Sequence, residues 1–125
     1  PGGTETLLFV EDEEFIRKLV VTVLSSKGYH VLVACDGKEG LEQYTIHHNK
    51  IQLVLSDIGL PIMGGDELFV RIKEINSNAK IILASGYVNP DTRSLLEYAG
   101  AKHIITKPYS NVELLVKIRE VLDGL

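Results

Sequence analysis

Short, continuous apolar runs alternate along the chain with longer stretches in which apolar residues recur every three or four positions. The runs at 7–10, 31–35, 51–55, 81–84 and 104–105 are rich in β-branched side chains and lack the apolar-polar alternation of a half-exposed strand. That pattern predicts five parallel strands covered on both faces. Ile16, Leu19, Val20, Val23 and Leu24 repeat at helical spacing, as do Leu68, Ile72 and Ile75, and Leu114, Leu115, Ile118, Val121 and Leu122. Two further helices have weaker patterns, one over 37–47 with only Leu41, Tyr44 and Ile46 as apolar residues, the other over 91–98. Punctuation supports these boundaries. Gly28 and Gly100 can close helices, Asn89 followed by Pro90 offers an N-cap with proline at the first helical position, and Ser110 with Glu113 fits a capping box. Strict strand-helix alternation then implies an α/β fold, a parallel sheet wound by right-handed crossovers with helices on both faces.

Chain length narrows the reading. At 125 residues the sequence suits one domain, large enough to bury roughly two thirds of its unfolded surface without disulfides or structural metal. Residues 1–5 read as a linker remnant and 6–125 as the domain, with no repeat or internal linker. A formal charge of −4 with dispersed Lys and Arg provides no basic stripe for nucleic acid and no polybasic patch for a membrane surface. The longest apolar runs are too short to span a bilayer, and no signal peptide is visible, so the chain reads as cytoplasmic. The cytosolic part of a membrane-anchored protein would have the same sequence character. A monomer is the expected state. Cys35, the only cysteine, excludes an internal disulfide and a cysteine metal cluster, and its strand-end setting predicts a small buried hydrophobe.

Candidate chemistry collects at the strand ends. Asp57 follows the third apolar run and precedes Gly59 and Pro61; Glu11 and Asp12 follow the first; Ser85 ends the fourth; Lys107 and Pro108 follow the fifth. Open α/β sheets place their sites in the crevice outside the carboxyl ends of the strands. A carboxylate there can attack phosphorus to form an acyl phosphate, provided that the charge of the incoming group is neutralised. Mg2+ prefers oxygen ligands and is held by one or two carboxylates with phosphate oxygens and water, which fits Asp12, Asp57 and, through water, Glu11. Lys107 can pair with a phosphoryl oxygen as a compact charge, and the Ser85 hydroxyl can donate to another. Taken singly, each residue has a blander reading. Asp57 would form a turn, Ser85 would cap a helix or loop, and Lys107 would be a solvated strand-end charge. Glu13 and Glu14 fit a helix N-terminus through its dipole. His47 and His48 fit a solvated helix end, since adjacent helical positions do not face one another, while His30 and His103 read as structural or surface residues starting strands.

These residues together resemble the receiver domains of two-component signalling. The likeness rests on Glu11-Asp12-Glu13, on the segment from Asp57 through Pro61 and Met63 to Gly65, on Ala84-Ser85-Gly86 and on Thr106-Lys107-Pro108, four strings in order at consecutive strand ends. It covers 6–122. The resemblance implies a flavodoxin-like doubly wound (βα)5 fold with strand order 2-1-3-4-5, the order for which a chemotaxis receiver is the standard illustration. It implies phosphorylation of Asp57 by a phosphohistidine on a sensor histidine kinase or histidine phosphotransfer domain. It also implies that Lys107 and Ser85 assist, with Mg2+ held by Glu11, Asp12, Asp57 and the backbone carbonyl of Gly59. A cis bond between Lys107 and Pro108 belongs to the same expectation.

Three positions depart from the commonest receiver pattern. Glu11 replaces Asp, Ser85 replaces Thr, and Ile104 stands three before the lysine, where many receivers carry a switching Tyr or Phe. The strings Gly3-Thr4-Glu5-Thr6 and Ser85-Gly86-Tyr87 look like those of receivers attached to sensor histidine kinases. The competing readings are a receiver-like interaction module that works without phosphorylation, a Mg2+-dependent phosphohydrolase and a flavin carrier. The first needs a damaged site; the second usually has an acid where Gly59 stands; in the third, the acids would repel the cofactor phosphate.

Overall fold

The computed structural model describes residues 2–86 and 89–124. Among these, five strands alternate with five helices: β1 (Thr6–Val10), α1 (Glu14–Ser26), β2 (His30–Ala34), α2 (Gly37–His47), β3 (Ile51–Asp57), α3 (Gly65–Ile75), β4 (Ile81–Ser85), α4 (Pro90–Tyr98), β5 (Ile104–Thr106) and α5 (Asn111–Leu122). Every strand pair is parallel, and the sheet order is β2-β1-β3-β4-β5. The expected doubly wound, flavodoxin-like fold is therefore present.

Side-chain alternation divides the core into two layers. Leu7 and Phe9 of β1, Leu53 and Leu55 of β3 and Ile82 of β4 pack with Val20 and Leu24 of α1 and with Leu114, Leu115 and Ile118 of α5. Leu8, Val10, Val54, Ile81 and Leu83 belong to the opposite layer, with Tyr44 of α2, Leu68, Phe69 and Ile72 of α3 and Leu96 of α4. Burial on both faces is why the central runs are continuously apolar. The edge strand β2 departs from this expectation: Val33 is 40% exposed. An edge strand has one neighbour, so less of its surface is covered.

Capping explains a helix that periodicity describes poorly. The Asp36 carboxylate accepts a hydrogen bond from Glu39 N at 2.7 Å, starting α2 in the manner of an N-cap, typically worth about 1 kcal/mol. Tyr44 then anchors α2 in the core while Ile46 remains exposed. The predicted punctuation is also present. Asn89 Oδ1 accepts from Asp91 N and Thr92 N at 2.8 and 3.0 Å, and Ser110 and Glu113 form the capping box. Gly28 and Gly100 follow α1 and α4 at φ values of 98° and 97°, a region that side chains with a Cβ rarely adopt.

Cys35 does not occupy the buried place expected of it. Strand β2 ends at buried Ala34, whose carbonyl accepts from Glu11 N at 3.0 Å, and Cys35 lies beyond that last rung in solvent. Its Sγ donates to Glu39 Oε2 at 3.2 Å, and this bond is the main influence pushing the thiol pKa up. The histidines lie outside the two groups of metal-ligating side chains found among the described residues.

Candidate functional site

Alternation extends one apolar layer into a charged site. Glu11 has the parity of Leu7 and Phe9, Asp57 that of Leu53 and Leu55, and Lys107 that of Ile105, all of them residues packed in the α1 and α5 layer. Successive strand side chains face opposite sides, so three strands deliver charged groups above the same layer. Ser85 keeps the other parity, with Ile81 and Leu83. Register brings the strand ends level: Val10 pairs with Ser56, Asp57 with Ala84, and Ser85 with Thr106.

Lys107 joins two of the acids. Its Nζ lies 3.1 Å from Glu11 Oε1 and 3.2 Å from Asp57 Oδ2. Glu11 is only 1% exposed, and its other oxygen accepts from Glu13 N at 3.1 Å. Burial pushes the Glu11 carboxyl above the ordinary glutamate range; the bonds from Glu13 N and Lys107 pull it back, and the nearby Asp57 charge adds to the rise. For Lys107, burial opposes the charge, but the hydrogen bond to Glu11 and the field of Asp57 outweigh it and hold the ammonium above the usual lysine range. Asp12 is exposed at the rim. One carboxylate oxygen from each of Glu11, Asp12 and Asp57 comes within 4.8 Å of the others. Three carboxylates against one ammonium leave the crevice negative, and these hard oxygen donors fit a Mg2+ ion.

The loops around the crevice are held from behind. Arg17, one turn into α1, donates from Nη1 to the carbonyl of Glu11 at 2.9 Å and approaches that of Asp12 at 3.5 Å. Sequence reading passes over Arg17 because its partners are main-chain oxygens, which leave no mark in the sequence. After Asp57 the chain turns tightly. Gly59 N donates to Asp57 Oδ1 at 3.3 Å, and the Ile58 carbonyl accepts from Leu60 N and Gly65 N at 3.0 and 2.8 Å. Met63 N donates to the Pro61 carbonyl at 2.7 Å, closing a γ-turn whose central residue, Ile62, has φ 70°. A β-branched residue in that region costs on the order of 1–3 kcal/mol. At Gly65 a Cβ would stand 2.1 Å from the Asp57 carbonyl oxygen, so glycine lets α3 begin against the end of β3.

The structure thus brings Glu11, Asp12, Asp57 and Lys107 together. Ser85 ends β4, half-buried, and its carbonyl accepts from Lys107 N at 2.8 Å. Gly59 lies on the same loop as Asp57, and the bond between Lys107 and Pro108 is cis. Glu13 and Glu14 remain at the start of α1, where Glu14 pairs with Lys18 at 2.7 Å. Ile104 packs against the α3 and α4 layer. Tyr87, part of the string that suggested a kinase-attached receiver, lies outside the described residues.

An order 2-1-3-4-5 sheet bearing an acidic crevice beyond its carboxyl ends defines a receiver-type α/β domain. Residues 7–119 match the response regulator receiver domain family, and the chain belongs to it. Chemotaxis protein CheY of Treponema pallidum (strain Nichols) is 33% identical over 122 residues, spanning 97% of this chain and 85% of that protein. Sensor kinase CckA of Brucella abortus (strain 2308) is 31% identical over 122 residues, which are 98% of this chain and 13% of the kinase. The chain spans about half the length of several other curated relatives that it matches, among them response regulators of Streptococcus pneumoniae and Staphylococcus aureus. Among solved structures, a CheY-like receiver domain from Methanospirillum hungatei JF-1 aligns with a TM-score of 0.89 at 33% identity, covering 98% of this chain and 96% of that one. The CheX–CheY–BeF3–Mg complex from Borrelia burgdorferi aligns at 0.86 and 29% identity, covering 94% and 88%. No helix among the described residues is long and apolar enough to cross a membrane.

Proposed function

We propose that the domain, residues 6–125, is a phosphoacceptor in a two-component phosphorelay, loaded at Asp57 from a phosphohistidine on a sensor histidine kinase or histidine phosphotransfer domain. The observation that carries this reading is the convergence of three carboxylates with Lys107, whose ammonium reaches both Glu11 and Asp57. A carboxylate oxygen of Asp57 attacks phosphorus as the bond to the histidine nitrogen breaks, and the electron pair leaves with the imidazole. The product is an acyl phosphate. Lys107 shifts its pairing toward a phosphoryl oxygen, and the Ser85 hydroxyl donates to another. Asp12, Asp57, the Gly59 carbonyl and, through water, Glu11 would hold Mg2+, which would supply the positive charge that one lysine cannot. The domain catalyses only its own loading and hydrolysis.

The surroundings suit a docking partner. Beside Lys107, a groove of about 370 Å³ is lined by Ile16, Leu19, Val20, Pro108 and Tyr109, and Phe15 is exposed on the same helix. A helical, histidine-bearing partner could cover this apolar rim while its histidine reaches Asp57. Ile104 has no ring to rotate, which favours relay, or attachment to a kinase, over a switch working through the α4, β5 and α5 face. Beryllofluoride with Mg2+ tests this part: amide shifts confined to the loops around Asp12, Asp57, Ser85 and Lys107 are expected, whereas broad shifts across α4 and α5 would restore the switch. The central claim is tested by incubation with acetyl phosphate and Mg2+ and measurement of intact mass. One phosphoryl group, removable by hydroxylamine, is expected. No gain would leave an interaction module that works without phosphorylation.

A further inference from the structure

We infer that Arg17 is a positioning residue for the divalent-cation site, an inference that rests on the proposed phosphoacceptor reading. Among the described residues its guanidinium bonds neither the clustered carboxylates nor Lys107. It donates instead to the carbonyl of Glu11 at 2.9 Å and lies 3.5 Å from that of Asp12, the two residues whose side chains supply two of the three clustered acids. Glu11 is fixed on its other sides. Its N–H donates to Ala34 O at 3.0 Å, and its carboxylate is held by Glu13 N and Lys107. Asp12 has a weaker hold on its geometry. It is exposed, lies between the end of β1 and the start of α1, and among the described residues is bonded only through that approach of Arg17 to its carbonyl. Arg17 is itself anchored, because its N–H donates to Glu13 O at 2.9 Å as α1 begins. The loop carrying Glu11 and Asp12 is therefore drawn toward the first turn of α1 through its carbonyls, leaving its carboxylates to meet Asp57.

Two physical effects of removing Arg17 have opposite signs, so the experiment can separate them. A positive charge near a cation site repels the cation, and deleting it should tighten Mg2+ binding if charge alone matters. Losing a group that orients ligands weakens metal binding, by roughly 10–100-fold for outer-sphere partners of coordinating residues. Positioning predicts that Arg17→Gln raises the Mg2+ Kd about tenfold, toward the low end because the Asp12 contact is long. Arg17→Lys keeps the charge without the forked geometry and should lose less affinity in the same direction.

The measurement is an amide chemical-shift titration with Mg2+ alone, on the folded protein, comparing wild type, Arg17→Gln, Arg17→Lys and Asp12→Ala. Fitted affinities of the folded population are insensitive to a modest loss of global stability. Should Arg17→Gln fail to fold, the lysine variant carries the test, and unchanged or tighter binding in it overturns the inference. Weaker binding in Arg17→Gln with partial recovery in Arg17→Lys supports it. Unchanged or tighter binding in Arg17→Gln, with Asp12→Ala still impaired, overturns the positioning role and leaves the phosphoacceptor reading standing. Absence of Mg2+ binding in the wild type would remove the metal site, and this inference with it.

Discussion

The two ends of the sheet hold the same kinds of charge in opposite states. At the amino ends of the strands, Arg119 forms a forked pair with Glu5, at 2.6 Å from Nη2 to Oε2 and 3.2 Å from Nη1 to Oε1, and also holds Asp123 at 2.8 Å. The hydrogen bond from Arg119 is the largest influence on Glu5 and sets its carboxyl below the ordinary range. At the carboxyl ends, Lys107 is shared between Glu11 and Asp57 with Asp12 nearby, and burial lifts the Glu11 carboxyl above that range. One pole has a guanidinium shaped to satisfy a carboxylate. The other crowds three acids around a point charge that cannot satisfy them all, and such a surplus is stabilised only when a further cation or proton arrives. Charge at one pole closes the fold, whereas at the other it leaves the fold chemically incomplete.

The contrast fails most completely if the acceptor lies elsewhere. Asp57→Asn should abolish phosphorylation by acetyl phosphate while circular dichroism stays native; phosphate gained at the wild-type rate would displace Asp57 from its role. Ser85→Ala removes one donor to the transferred group and should slow loading on the order of ten- to a thousandfold. A rate within twofold of wild type would remove the hydroxyl from the mechanism. Mg2+ should raise the melting temperature in proportion to RT ln(1 + [L]/Kd), and Asp12→Ala should largely erase that rise. An undiminished rise would take Asp12 out of the metal site.

Titration sharpens the contrast further. Glu5, depressed on folding, contributes stability that is present above its unfolded pKa of about 4.3 and is lost as pH falls through its folded value. Glu11, raised on folding, contributes in the opposite sense: its share is present below about 4.3 and is lost as pH rises through its folded value. Carboxyl-carbon NMR should therefore find the Glu11 midpoint above that of Glu5 in the Mg2+-free protein, and the reverse order would overturn the comparison. The smallest effect is expected from Arg119→Gln. It should lower the melting temperature modestly and leave the loading rate of Asp57 unchanged; a changed rate would mean that the poles are coupled.

Much of this arrangement is legible in the sequence because it rests on period and parity. Continuous apolar runs mark the strands, and each candidate acid or lysine stands one or two residues past a run that strand pairing brings level. The expected burial of Cys35 fails because an apolar run does not announce which of its residues makes the last rung, and here that residue is Ala34. Edge position is equally hidden: β2 reads like β1 until pairing shows that it has one neighbour. The start of α2 at Gly37 falls where the sequence pattern puts it, and Asp36 followed by Glu39 is a capping signal that supports this start despite sparse apolar spacing. The role of Arg17 could not be read in this way, nor could the positive φ of Ile62, because both are consequences of main-chain geometry after folding.

The Arg119 cluster also bears on how the domain can be combined with others. Nη1 of Arg119 donates to the Gly2 carbonyl at 3.1 Å as well as to Glu5, while Nε and Nη2 hold Asp123. Segments from the two extremities of the described chain are thus gathered at the pole opposite the acidic crevice. Connections leaving from there would not obstruct a partner approaching Asp57. Such a unit is portable: the same fold can be joined to different neighbours without remodelling its reactive end.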